Sequence, residues 1–186
     1  QELKELLKDK NLHHWHLRFL SKISSQPLYY PADSDFHSFW YLDKKTIPLI
    51  SRFVSYLEKL VSDKKEDLVV NKKFDVYFVK AAKTHDLADF VGLNYLSTSR
   101  RFDVNPFGDW GLNHWDEINP KTVREKAYLI LKKNDEPLHF RQIAEKINKI
   151  NFGGRPAHPQ TVHNEVIKDP RFTLVGRGTY GLKERG

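Results

Sequence analysis

The clearest alternation of hydrophobic and polar positions lies in the last third of the chain. Asn119-Pro120 predicts a helix start, because asparagine caps and proline fits the first helical position. The helix continues through TVREKAYLILKK with Val123, Ala127, Ile130 and Leu131 on one face, and breaks at Asn134-Asp135. Pro137-Leu138-His139 reads as a short extended piece. FRQIAEKINKI is a second helix with Ile143, Ile147 and Ile150 along one side. After the loop NFGGRPA, His158-Pro159 begins a third helix, QTVHNEVIKD, which Pro170 stops. RFTLVGRGTYGLKE closes the chain as a β-hairpin, with glycines at its tip for positive φ. Helix, short strand, helix, helix and hairpin is the order of a winged helix-turn-helix.

This hairpin has an echo upstream. RFDVNPFGDWGL from Arg101 aligns without a gap with RFTLVGRGTYGL from Arg171, an offset of 70 residues. Gly108 falls on Gly178, Trp110 on Tyr180, and Gly111-Leu112 on Gly181-Leu182. The same offset brings the first helix onto IPLISRFVSYLEKLV, whose Ile50, Phe53, Val54, Leu57 and Val61 form an apolar stripe. It brings the short strand near Leu68-Val69-Val70 and the third helix onto HDLADFVGLNYL. Self-similarity at a fixed offset is the mark of a duplicated unit. A weaker echo lies further upstream, where HLRFLSKI and FHSFWYL read as the two strands of a longer wing and ELKELLKDKN as the end of a preceding helix.

Charge sharpens the picture. The net charge is +7, and all of it falls from Ile118 onward, with fourteen Lys and Arg against seven Asp and Glu. The first 117 residues are balanced. A basic module joined to a neutral one calls for a polyanion as partner of the basic part. The third helix must turn Val162 and Val166 to the core, which leaves Gln160, Thr161, Asn164 and Lys168 outward with His163 on the flank. Glutamine and asparagine pair with adenine, threonine meets the thymine methyl, and lysine suits phosphate. Arg177 at the wing tip is placed for a backbone or minor-groove contact, and Arg155, Arg171 and Lys183 extend the basic rim. The middle copy reads differently. Its third helix carries Asp86 and Asp89 and no basic residue between His85 and Ser99, so it is a poor DNA reader. Phe90, Tyr95, Trp110 and Trp115 suit packing, within its own core or against a protein partner.

Other chemistry finds little support. The chain has no cysteine, which excludes disulfides, thiolate zinc sites and thiol catalysis. His13, His14 and His16 crowd together without cysteine partners or HExxH spacing, and His37, His139, His158 and His163 are scattered, so no metal is expected. Asp33 followed by Asp43-Lys44-Lys45 is the nearest approach to a nuclease metal site, but Asp43 stands at a helix start and reads as a cap. There is no glycine-rich phosphate loop and no catalytic triad. No cofactor, small-molecule substrate or membrane is expected, and the reading is non-enzymatic and cytoplasmic, at a bacterial nucleoid. With no methionine, not even an initiator, the chain reads as a fragment.

The motifs INPKTVREKAYLILKK, PLHFRQIAEKIN, HPQTVHNEVIKDPRF and GRGTYGL, in that order, resemble the HARE-type helix-turn-helix family. The resemblance implies a winged helix that binds double-stranded DNA without catalysis. The family occurs in the RNA polymerase delta subunit, in ASX-like chromatin proteins, and beside restriction and remodelling enzymes. The stretch NPFGDWGLNHWDEINPKTVREKAYLILKK also looks like the junction in bacterial sigma-factor-like proteins, which implies RNA polymerase as a partner. His158 stands where Ser or Thr is the expected helix cap. The resulting expectation is an α+β, helix-rich chain of tandem winged helix-turn-helix modules. Residues 1–44 hold a remnant wing, 45–117 a divergent winged helix, and 118–186 the HARE-type winged helix. The function expected is that of a DNA-binding transcription factor acting with RNA polymerase. Docking on an acidic protein, or targeting DNA for a restriction system, are the alternatives.

Overall fold

The computed structural model describes residues 28–150, 152 and 154–185. In chain order the elements are β1 (Leu28–Tyr30), β2 (Phe39–Tyr41), α1 (Thr46–Val61), α2 (Lys65–Val69), α3 (Phe74–Thr84), α4 (Asp89–Thr98), β3 (Phe102–Val104) and β4 (Trp110–Leu112). There follow α5 (Val123–Lys132), β5 (Leu138–His139), α6 (Phe140–Lys149), α7 (Pro159–Val166), β6 (Phe172–Gly176) and β7 (Thr179–Leu182), then a 3₁₀ turn, Lys183–Arg185. This is a mixed α+β, helix-rich chain. Its described residues divide into two compact units, one of 28–60 with 76–101, the other of 61–75 with those from 102 onward.

In the first unit β1 pairs with β2 in antiparallel register, Tyr29 opposite Trp40. The connection turns at Asp33, whose Oδ1 accepts the backbone N–H groups of Asp35 and Phe36. β2 lies within the expected FHSFWYL strand, but its partner is Leu28–Tyr30, a segment given no element from sequence. HLRFLSKI, ELKELLKDKN and the clustered histidines at 13, 14 and 16 lie outside the described residues. Asp43, expected as a cap, lies two residues before the cap position of α1, and its Oδ1 accepts the Lys45 N–H in the turn that leads into the helix. Ile50, Phe53, Val54 and Leu57 of the expected stripe are buried. Gly92 on α4 allows close approach, since a Cβ there would lie 2.9 Å from the Phe78 ring. Arg101 ties the unit together through Asp35, Ser55 and Glu58.

In the second unit α5 starts three residues later than Pro120 suggests. Thr122 and Glu125 form a reciprocal capping box, which satisfies two orphan N–H groups and so fixes the start. Asn119 instead bonds Asn113 through its side chain. Ala127 to Leu131 are all buried, so the middle of α5 is enclosed on more than one face. Ala127, Ile130 and Leu131 join Ile143, Ile147, Val162, Val166, Phe172 and Tyr180 in one core, with Val123 partly buried against it. The sheet has the order β5-β7-β6.

Phe172 pairs with Leu182, Thr173 with Gly181 and Leu174 with Tyr180. The β3–β4 hairpin repeats that register 70 residues earlier, with Phe102 opposite Leu112, Asp103 opposite Gly111 and Val104 opposite Trp110. One expected element is different: Leu68-Val69 belongs to helix α2, not to a strand. Two buried carboxylates secure the segment before α5. Asp109 meets Lys133 at 2.7 Å and accepts from Asn105, and Glu117 pairs with Lys65 at 2.6 Å. Among the described residues no helix is long and apolar enough to cross a membrane.

Candidate nucleic-acid interface

The two helices that present the polar face are each capped by an imidazole. His139 Nδ1 accepts the N–H of Arg141, while the Gln142 side chain returns to accept the His139 N–H at 2.9 Å. His158 Nδ1 accepts the N–H of Gln160 at 3.3 Å, and Pro159 occupies the first helical turn. The lone pair on Nδ1 supplies what a Ser or Thr hydroxyl gives at other helix starts.

The wing is anchored at its tip. Gly178 has φ +69°, and a Cβ there would approach His139 Nε2 to 2.8 Å and the Phe140 ring to 3.1 Å. Its carbonyl accepts the N–H of Phe140 at 2.9 Å, so the tip rests on the first residue of α6. α7 is fixed to the same corner. His163 is half-buried, with Nδ1 2.9 Å from the Tyr180 hydroxyl and its ring 5.0 Å from that of Phe140. Burial raises the pKa of that tyrosine. His163 therefore spends one ring nitrogen on the wing strand, on the inner side of the helix.

Of the remaining candidates, Gln160, Thr161 and Asn164 are exposed on α7, opposite the buried Val162 and Val166. Gln160 Nε2 donates to Asn164 Oδ1 at 3.2 Å, which aligns the two amides on one face. The acid on this helix, Glu165, is paired with Arg124 at 2.8 Å. Lys168 is exposed but lies beyond the helix, because α7 ends at Val166 with Ile167 as its C-cap. Arg155 is exposed in the segment that leads into α7, and Arg177 is exposed at the wing tip.

Arg171 and Lys183 do not converge with these. Phe172 and Leu182 pair at the base of the hairpin, and β6 extends about 17 Å from there to the tip. Arg171 holds Asp169 through Nη2 at 2.7 Å and Nε at 3.1 Å, and its guanidinium carbon lies 4.6 Å from the centre of the Tyr128 ring. Its charge is already matched. Lys183 is exposed beside it and donates its backbone N–H to the Arg171 carbonyl.

Arg141 is a residue that sequence reasoning misses. It is exposed in the first turn of α6, 5.9 Å from the centre of the Phe140 ring, in the corner where the wing tip rests. Its position directly after His139-Phe140 is the signal, but the apolar stripe of α6 does not draw attention to it. Among the described residues no group of His, Asp or Glu is placed to hold a metal ion.

The order helix, strand, helix, helix and two-stranded wing defines a winged helix-turn-helix. Residues 121–184 match the HARE-HTH family model, a helix-turn-helix domain named for the ASXL and restriction endonuclease proteins among those that carry it. That stretch is a HARE-HTH domain, and the match suggests DNA binding. No curated protein and no solved structure matches the chain.

Proposed function

We propose that the chain is a non-enzymatic DNA-binding protein that presents α7 to the major groove of duplex DNA. The observation that carries this is the outer face of α7. Gln160, Thr161 and Asn164 are exposed there, and the helix's one carboxylate is neutralised by Arg124. A groove-facing helix needs such donors and acceptors without net negative charge. Arg177 and Arg141 add positive charge at the wing corner, where phosphate contacts position the protein. His163 contributes through the placement of α7, and Arg171 through the base of the wing.

The β3–β4 register favours reading residues 45–117 as a second, divergent winged helix, although α4 and most of α1 and α3 belong to the first unit and the hairpin to the second. Its helix α4 exposes Phe90 and Leu93 beside Asp89. That surface favours contact with protein over contact with phosphate. Transcription in partnership with RNA polymerase is the setting implied by the resemblance around NPFGDWGLNHWDEINPKTV.

The test is fluorescence anisotropy of a mixed-sequence duplex of about 20 base pairs, titrated with the chain at several salt concentrations. Micromolar binding with a log–log salt slope of about −3 to −5 is expected. Arg177→Glu with Lys168→Glu should weaken it strongly while the protein stays folded. No binding at low salt would assign the basic face to protein docking.

A further inference from the structure

A second basic feature lies at the other end of α6. Lys126 of α5, Ile147, Asn148 and Lys149 of α6, and Phe152 and Arg155 of the following segment line a cavity of about 250 Å³. Lys126, Lys149 and Arg155 are its charged lining residues, and no carboxylate is among the described ones. Its wall is held in place. Asn148 donates to the Ala157 carbonyl at 3.0 Å and accepts the Ala157 N–H at 2.7 Å, clipping the segment after α6 to its last turn. Lys126 Nζ lies 5.7 Å from the centre of the Phe152 ring, and the ring packs edge-on to Phe107.

Positive charge lining one cavity favours an anion there. The Phe152 ring already carries Lys126 and Phe107, which leaves little of it for a stacked base. The volume is below the roughly 300–1,000 Å³ of a typical small-molecule pocket. Both facts favour a phosphate group over a whole nucleotide or metabolite.

The location identifies which phosphate. The wing tip rests on the first residue of α6, and this cavity takes in its last turn. Ten helical residues separate the two by about 15 Å. α7 starts just after Arg155, and its His163 touches Phe140 and Tyr180 at the wing corner, so α7 runs between the two basic features. The major groove is about 12 Å wide. We infer that Lys126, Lys149 and Arg155 form a phosphodiester site that grips one wall of the groove entered by α7, with the wing tip on the other. This inference rests on the DNA reading above.

The experiment compares the full chain with its Lys149→Gln/Arg155→Gln double variant, by duplex anisotropy across salt, on two unrelated duplex sequences. Removing two phosphate contacts should lower the magnitude of the salt slope by about 1.8. That corresponds to roughly 60-fold weaker binding at 0.1 M salt relative to a 1 M reference, equal for both sequences. Lys44→Gln/Lys45→Gln, which removes two exposed cations elsewhere, should change the slope by less than about 0.5. Lys126→Gln provides an independent test of the same cavity, with an expected slope loss of about 0.9.

Unchanged binding by both cavity variants, with a salt-sensitive wild type, overturns the inference and leaves the DNA reading standing. A loss no greater than that of the Lys44/Lys45 control, or one confined to a single duplex sequence, also overturns it. So does saturable micromolar binding of inorganic phosphate in the absence of DNA, which would assign the cavity to a free anion. A wild type that binds no duplex at all overturns both readings together.

Discussion

At the scale of single residues, the distinction that matters is between charges that are matched and charges left to meet a partner. Arg171 and Arg177 are six residues apart on one hairpin, yet the first is committed to Asp169 and Tyr128 while the second is exposed at the tip. Arg171→Gln should destabilise the domain by about 2 kcal/mol in urea denaturation and leave the salt slope of DNA binding unchanged. Arg177→Gln should do the reverse, reducing the slope by about 0.9 with little effect on unfolding. The Asp169 carboxyl adds a pH signature. The Arg171 guanidinium hydrogen bonds hold it below its usual range, against the burial that pushes it up. A carboxylate lowered in the folded state contributes stability at pH values above its unfolded value of about 3.9, and that contribution is lost as pH falls through the folded value. Stability measured between pH 5 and pH 2 should therefore fall less steeply in Asp169→Asn than in the wild type. None of this partnership is legible from sequence, where Asp169 reads as the end of a helix and Arg171 as an outward cation. Asp169 precedes a proline, which disfavours helix at that position and releases its side chain to meet Arg171.

At the scale of elements, the apolar periodicity makes most of the architecture readable. The stripe on α1 and the inward faces of α5, α6 and α7 are where that spacing puts them, and the two glycine-bearing hairpins carry one register. The differences fall at short segments and ends. Leu68-Val69-Val70 is too brief to tell strand from helix by alternation. Glu66 and Asp67, in the first turn of α2, suit a helix N-terminus. The start of α5 is set by Thr122 and Glu125, so Thr122→Ala should cost about 1 kcal/mol in thermal or urea unfolding. Gly178 is the element-scale determinant of the wing. Any side chain there meets both a positive φ and the His139–Phe140 pair. Gly178→Ala should cost more than about 1 kcal/mol and weaken duplex binding in anisotropy, because the tip must leave its seat on α6. Wild-type affinity in a folded Gly178→Ala protein would show that the seat is irrelevant to binding.

At the scale of the whole chain, the HARE-HTH match ends short of what the second unit uses. Asp109, Glu117 and Lys65 lie outside residues 121–184, yet they pair with Lys133 and Lys132 of the matched domain or with each other. Lys133 also donates to the Val69 carbonyl at 3.0 Å. Removing its ammonium leaves Asp109 buried without its cation, and Lys133→Ala should cost about 3 kcal/mol in urea unfolding. Sequence shows where the positive charge collects but not this pairing, which joins residues far apart along the chain.

The interleaving of the two units carries a consequence for biosynthesis. Helix α2 leaves the ribosome well before its partners exist: β4 follows about 40 residues later and Lys133 about 65 residues later. At roughly 5–20 residues per second, Leu68 and Val69 stay uncovered for about 2 to 13 s. Meanwhile the helices on either side, α1 and α3, can already be folding within the first unit. The nascent chain must carry a short greasy loop through that interval, and a chaperone that binds such loops would meet it there first.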